Sequence, residues 1–128
     1  MKQILSTLAL ILLFCTTSCV QETHLKSITF KVDMNQVENV ENVGIRGNFT
    51  NPSWQQMVPL TDADNDGIYE ATISQKTAVN SIRFKFVNQN DQYEMKDQPN
   101  RKLEFEYKPQ TITYEATFDI PKGAITIK

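Results

Sequence analysis

Residues Ser81–Val87 read "SIRFKFV". In an extended chain Ile82, Phe84 and Phe86 share one face, and Arg83 and Lys85 share the other. Period-two alternation marks a strand with one buried and one solvated face, whereas a helix would repeat its apolar residues every three or four positions. The pattern recurs in both directions along the chain. "SITFKVDM" aligns Ile28, Phe30, Val32 and Met34, and "VGIRGNF" aligns Val43, Ile45 and Phe49. "GIYEATI" aligns Tyr69, Ala71 and Ile73, and "KLEFEY" aligns Leu103, Phe105 and Tyr107 against Glu104 and Glu106. "TITYEATF" aligns Ile112, Tyr114, Ala116 and Phe118, and a short "AITIK" closes the chain after Pro121-Lys122-Gly123.

No segment carries a helical stripe. Short one-sided strands separated by turn residues predict an all-β sandwich of antiparallel sheets with about seven strands. Pro109 falls between strands and Pro121 at a strand end, where a missing N–H is tolerated. The chain has 128 residues and shows no internal repeat, so one domain is expected, over residues 27–128.

The first residues have a different character. Met1-Lys2 is followed by the almost wholly apolar "ILSTLALILLF" of Ile4–Phe14. This run is too short for a permanent bilayer span and is expected to be a secretion signal over residues 1–18. Both cysteines, Cys15 and Cys19, follow it. The small pair Thr17-Ser18 before Cys19 resembles a bacterial lipobox, so Cys19 is the expected lipidation site. The alternative is an ordinary cleaved signal and a protein free of the membrane. Lipidation implies a cell-envelope location, that of an outer membrane lipoprotein, with residues 19–26 as a polar tether. A domain that begins after Cys19 has no thiol for a disulfide or a thiolate metal site. Residues 1–18 hold one base, Lys2, and no acid, so removing them leaves 12 bases against 15 acids, a formal charge of −3. That balance argues against nucleic acid as a partner.

Three constellations bear on chemistry. His24 is the only histidine and falls in the expected tether, which argues against a nucleophile–histidine pair. Glu104 and Glu106 stand two residues apart, about 6.6 Å along a strand, a separation used by inverting glycosidases; the alternation nevertheless puts them on a solvated face. No catalytic residue and no cofactor is expected. In "TDADNDGIYE", Asp62, Asp64, Asp66 and Gly67 match the first half of a calcium loop, but Ile73 stands where the bidentate acid belongs. Turn chemistry at Asn65-Asp66-Gly67 is the stronger reading, with a metal as the weaker alternative.

The third constellation is aromatic and polar. The only tryptophan, Trp54, lies in the loop "GNFTNPSWQQMVPL", Tyr93 follows the turn "NQND", Lys85 points outward from its strand, and "DQPNRK" places Asp97, Asn100 and Arg101 in another loop. A flat ring covers the C–H face of a pyranose at low entropy cost, while amide, carboxylate and ammonium groups fix its hydroxyls. From Ser27 to Tyr107, 81 residues, the chain resembles the starch- and glycogen-binding-like domains of the immunoglobulin-like E-set type. The motifs run in order. "ITFKVDM" is similar to the first strand of bacterial members. "VGIRGNF", Trp54 and "MVPLTDADNDGIYEATI" are similar to G-x-F-x-x-W, a Pro-Leu segment and D-G-x-Y/W-E. "IRFKFV" with "NQNDQYEMKD" is similar to Y-K-F-x-V-(D/N)-G-x-W-x-x-D, and "NRKLEF" to N-x-x-(L/I)-x-V.

The resemblance implies an immunoglobulin-like sandwich and a non-catalytic α-glucan-binding site. It implies stacking by Trp54 and Tyr93 and hydroxyl contacts from Lys85 and Asn100. Four residues, Thr50 to Ser53, separate Phe49 from Trp54 where the family has two, so the site depends on whether this longer loop still turns Trp54 toward Tyr93. The alternative is an interaction lipoprotein that uses the same sandwich in an envelope assembly, with a protein rather than an oligosaccharide as partner.

Overall fold

The alternating segments form two facing sheets. A computed structural model of the protein describes residues 20–128. The expected signal peptide and Cys19 lie outside the described residues. The strands are β1 (His24–Asp33), β2 (Gly44–Gly47), β3 (Val58–Pro59), β4 (Ile68–Thr77), β5 (Ser81–Asn88), β6 (Gln92–Tyr93), β7 (Arg101–Glu104), β8 (Gln110–Thr117) and β9 (Gly123–Ile127). One sheet has the order β4-β1-β8-β9; the other has β3-β2-β5-β6, with β7 also paired to β5. Two of the nine strands, β3 and β6, have only two residues each. They leave no periodic trace in the sequence.

The core is the set that alternation selects. Ile28, Phe30 and Val32 of β1, with Met34 just past its end, face Ile82, Phe84 and Phe86 of β5, with Val43, Ile45, Leu60, Leu103, Ile112, Tyr114 and Phe118 completing the buried cluster. Phe84 is its hub. Its ring meets Phe30, Phe86 and Tyr114 edge-on at centroid separations of 5.0, 5.8 and 5.0 Å, the geometry the ring quadrupole favours.

Three expectations need correction. The sandwich is not wholly antiparallel, because β1 pairs with β8 in parallel while pairing with β4 antiparallel. Parallel neighbours require a long crossover. Here the whole second sheet supplies it, since β2, β5 and β7 all lie between β1 and β8 in sequence.

The expected tether is also too long. β1 begins at His24, so His24, Leu25 and Lys26 belong to the sheet, and Lys26 is buried. The Lys26 ammonium donates to the carbonyls of Glu106 and Lys108 and to Gln110 Oε1, fastening the β7–β8 connection to the start of β1. Burial pulls its pKa below the ordinary lysine value, partly offset by Glu106.

That fastening explains the third correction. β7 stops at Glu104, the chain turns, and Tyr107 is exposed rather than facing inward. Its ring instead meets His24 edge-on at 4.4 Å.

Candidate functional site

The outer side of the second sheet carries the residues in question. Phe84 and Phe86 of β5 point into the core, so Lys85 points outward. The register sets Arg46 of β2 opposite Lys85, Tyr93 of β6 opposite Val87, and Arg101 of β7 opposite Phe84. Asn100 therefore leaves the ladder beside Lys85, and it is exposed.

The longer loop keeps the Trp54 backbone at the end of β2. It winds back on itself. Trp54 N donates to the Gly47 carbonyl at 2.8 Å and to Thr50 Oγ1 at 3.1 Å, and Thr50 Oγ1 donates to the same Gly47 carbonyl at 2.8 Å. Gln55 N and Gln56 N both donate to the Pro52 carbonyl. The extra residues are thus spent on a local turn, and Trp54 returns to the sheet half-buried. Tyr93 is 41% exposed, and its hydroxyl donates to the Trp54 carbonyl at 3.3 Å. The two aromatic residues stand together.

Lys85 has the expected direction but is largely occupied. It is buried, and its ammonium donates to the carbonyls of Met95 and Gln98, both at 2.9 Å. An ammonium has three donors, so one remains for a ligand. Arg101 and Asp97, grouped with Asn100 from the sequence, separate in the structure. Asp97 is exposed. Arg101 is buried and makes a two-pronged ion pair with Glu94, Nε–Oε1 2.6 Å and Nη2–Oε2 2.8 Å. Arg101 also donates to the carbonyls of Thr117, Ile120 and Pro121, and Glu94 accepts from Phe86 N and Asp119 N. Burial disfavours the charge on Arg101, but the hydrogen bonds and charge of Glu94, helped by Tyr114, outweigh it and raise its pKa above the ordinary value. Tyr93 directly precedes Glu94 and Asn100 directly precedes Arg101, so this buried pair fixes both site residues from below.

Arg46 is the residue sequence reasoning missed. It reads only as the polar position in "GIRG". In the structure Nη1 donates to the carbonyls of Gln55 (2.6 Å) and Trp54 (3.3 Å), while Nη2 and Nε donate to the Asn90 carbonyl (3.0 and 3.2 Å). The sequence carried no mark of this role, because an arginine on the outward face of a strand is ordinarily solvated by water. The partners are loop carbonyls that no pattern reveals.

The carboxylate oxygens of Asp62, Asp64 and Asp66 come within 4.8 Å of one another, close enough for one ion. Yet Asp62 accepts from Asp66 N and Gly67 N, and Asp66 accepts from Ile68 N, so these carboxylates close the turn into β4. Desolvation works to raise the Asp62 pKa, and the backbone donation from Gly67 and Asp66 overcomes it, leaving it lowered. Asp64 is raised, chiefly by its hydrogen bond with Asp62. Glu104 pairs with Lys102 and Glu106 with Lys108, each at 2.9 Å, and these partners hold both carboxyls below their ordinary pKa. A glycosidase acid needs the opposite shift. His24 sits in β1 against Tyr107 rather than beside a nucleophile. Among the described residues no helix is long and apolar enough to cross a membrane.

Comparison with solved structures places this architecture. The chain is similar to CBM25-2 of the β/α-amylase from Paenibacillus polymyxa, at 17% identity over 82% of this chain and 94% of that one, with a TM-score of 0.48. It is similar to the family 20 CBM of the maltotetraose-forming amylase from Pseudomonas saccharophila STB07, at 16% identity over 72% and 99%, with a TM-score of 0.47. It is similar also to part of the gamma-CGTase from alkalophilic Bacillus clarkii, at 18% identity over 75% of this chain but 15% of that chain, with a TM-score of 0.51. At these identities the likeness is one of fold. The sandwich read from the alternation is thus shared, as a fold, with that part of the gamma-CGTase. No protein-family model and no curated protein matches the chain.

Proposed function

We propose that this protein is a non-catalytic carbohydrate-binding domain for α-glucan of the starch or glycogen kind. The observation that carries the reading is the meeting of Trp54 and Tyr93, joined through the tyrosine hydroxyl and the Trp54 carbonyl at 3.3 Å. A half-buried tryptophan and an exposed tyrosine on neighbouring segments offer apolar ring area to the C–H faces of a sugar chain. The exposed amide of Asn100 and the remaining donor of Lys85 stand beside them to take hydroxyls. The ordered motifs supply the substrate class. Affinity electrophoresis in amylopectin tests the reading. Wild type is expected to be retarded and Trp54→Ala and Tyr93→Ala to run freely; equal mobility of all three, with and without polysaccharide, sinks it.

We propose further that a lipid on Cys19 holds the domain at the cell envelope, on the outer membrane. Support comes from the apolar run Ile4–Phe14 and the small residues before Cys19. Because β1 starts at His24, only Val20–Thr23 separate that cysteine from the sandwich, a reach of roughly 14 Å at full extension. Incorporation of labelled palmitate by wild type and not by Cys19→Ala is the expected result; equal labelling removes the anchor from this position.

One observation favours the second reading, an envelope interaction protein. β9 is an edge strand, and its Ile125 and Ile127, opposite buried Tyr114 and Ile112, are each 51% exposed. An uncovered apolar edge is a template for another chain. Membrane pull-down that retains a specific protein on wild type and loses it with Ile125→Lys supports this use; equal recovery with both argues against it.

A further inference from the structure

The backbone around the aromatic pair is unusual. Trp54 has φ of +64°, Gln89 +50°, Asn90 +69°, Met95 +48° and Asp97 +61°. The left-handed region is costly for side-chain-bearing residues other than asparagine and aspartate, and it persists where the surroundings over-determine it. Here the surroundings are two cations. Arg46 and Lys85 are cross-strand partners on the outer face of the second sheet. Arg46 takes the carbonyls of Trp54 and Asn90, and Lys85 takes that of Met95, so three of the five left-handed residues are held directly.

Like charges placed directly opposite repel. The arrangement stands because each cation is wrapped in carbonyl dipoles instead of meeting a carboxylate. The two hold different things. Lys85 stays within one turn, Met95 to Gln98, whereas Arg46 spans two separate segments. One side of its fork is on the Trp54–Gln55 loop, and the other is on the Asn90 turn that leads into Tyr93. A planar guanidinium with five donors in a fixed fork reaches both loops at once, with two bonds to each; an ammonium has three donors at a single point and cannot reproduce that spread.

From this we infer that Arg46 is the positioning residue of the glucan site: it sets the distance between the Trp54 and Tyr93 platforms without touching the sugar. The inference rests on the proposed α-glucan function for its purpose, but the clasp itself can be judged apart from it. Freed of Arg46, the Trp54 loop keeps its internal Gly47 and Thr50 bonds, and only the 3.3 Å bond from the Tyr93 hydroxyl still ties it to the segment that follows the Asn90 turn. Binding must then order the two platforms, and affinity falls.

The test uses the fact that Trp54 is the only tryptophan. Arg46→Ala, Arg46→Lys and wild type are compared by acrylamide quenching of tryptophan emission and by retardation in amylopectin, with circular dichroism confirming the sandwich. Lys31→Ala, on the outer face of the other sheet, serves as control. Both Arg46 variants are expected to quench more readily than wild type. Their glucan affinity is expected to fall by about tenfold, with the charge-conserving lysine failing to rescue. A folded Arg46→Ala whose quenching equals that of wild type overturns the clasp. Rescue of both readouts by Arg46→Lys overturns the two-loop argument. Raised quenching with no retardation of any protein, wild type included, supports the clasp and defeats the sugar reading instead.

Discussion

Gly67 shows how one residue can be decisive. It has φ of +81°, and a Cβ there would strike the Asn35 side chain, which is itself held by Asp33 and by the Asp66 carbonyl. Both the backbone and the space therefore demand glycine. Gly67→Ala is expected to destabilise the domain by about 1–3 kcal/mol, read as a lowered midpoint in denaturant unfolding with unchanged slope. An unchanged midpoint contradicts the account of the turn. This residue was legible from "NDG" alone, and so was the turn role of Asp66; Asp62, which accepts from Asp66 N and Gly67 N, read only as the first acid of a calcium loop. Lys85 was legible only in direction. Alternation said outward, but its two loop carbonyls come from residues 10 and 13 positions later, an arrangement that exists only once the turn has folded over the sheet.

At the scale of elements, period two found the seven longer strands, because most of them turn one face toward the core and the other outward; β9 alternates in the same way but leaves Ile125 and Ile127 exposed. It could not find the parallel pairing of β1 with β8. That pairing is a matter of which strands meet, and the same alternating face serves either neighbour. Nor could it find β3 and β6, whose two residues leave no period. The β6–β7 region illustrates a further limit. Arg101 read as a loop residue and Glu94 carried no mark of burial, yet their side chains are 1% and 0% exposed. A buried charge is tolerable only when its partner and its remaining hydrogen bonds are all supplied. Here they are, from β5, β7 and the β8–β9 turn. Removing one member strands the other. Glu94→Ala is expected to cost about 3–5 kcal/mol in chemical denaturation, several times the effect of Lys102→Ala, whose ion pair lies at the surface. Near-equal costs would show that the buried pair does not hold this part of the fold.

For the whole molecule, two sheets make a rigid body whose second sheet displays three loops on its outer side. The Trp54 loop, the Asn90 turn and the segment from Glu94 to Asn100 are each tied down by a cation, Arg46, Lys85 or Arg101, that donates to backbone carbonyls or to a buried carboxylate. Trp54 and Tyr93 could be named from motif order, but the ties around them could not, because each runs to a loop carbonyl or a buried carboxylate that alternation does not reveal. The central claim is that Trp54 and Tyr93 form one surface for an α-glucan. It is tested most directly by titrating the protein with maltoheptaose while following the emission of Trp54. The account predicts a saturable change in emission, a fall in acrylamide quenching as sugar covers the ring, and loss of the saturable change in Tyr93→Ala. Emission and quenching that stay constant up to about 10 mM sugar, where even weak specific binding of millimolar affinity would register, would contradict it.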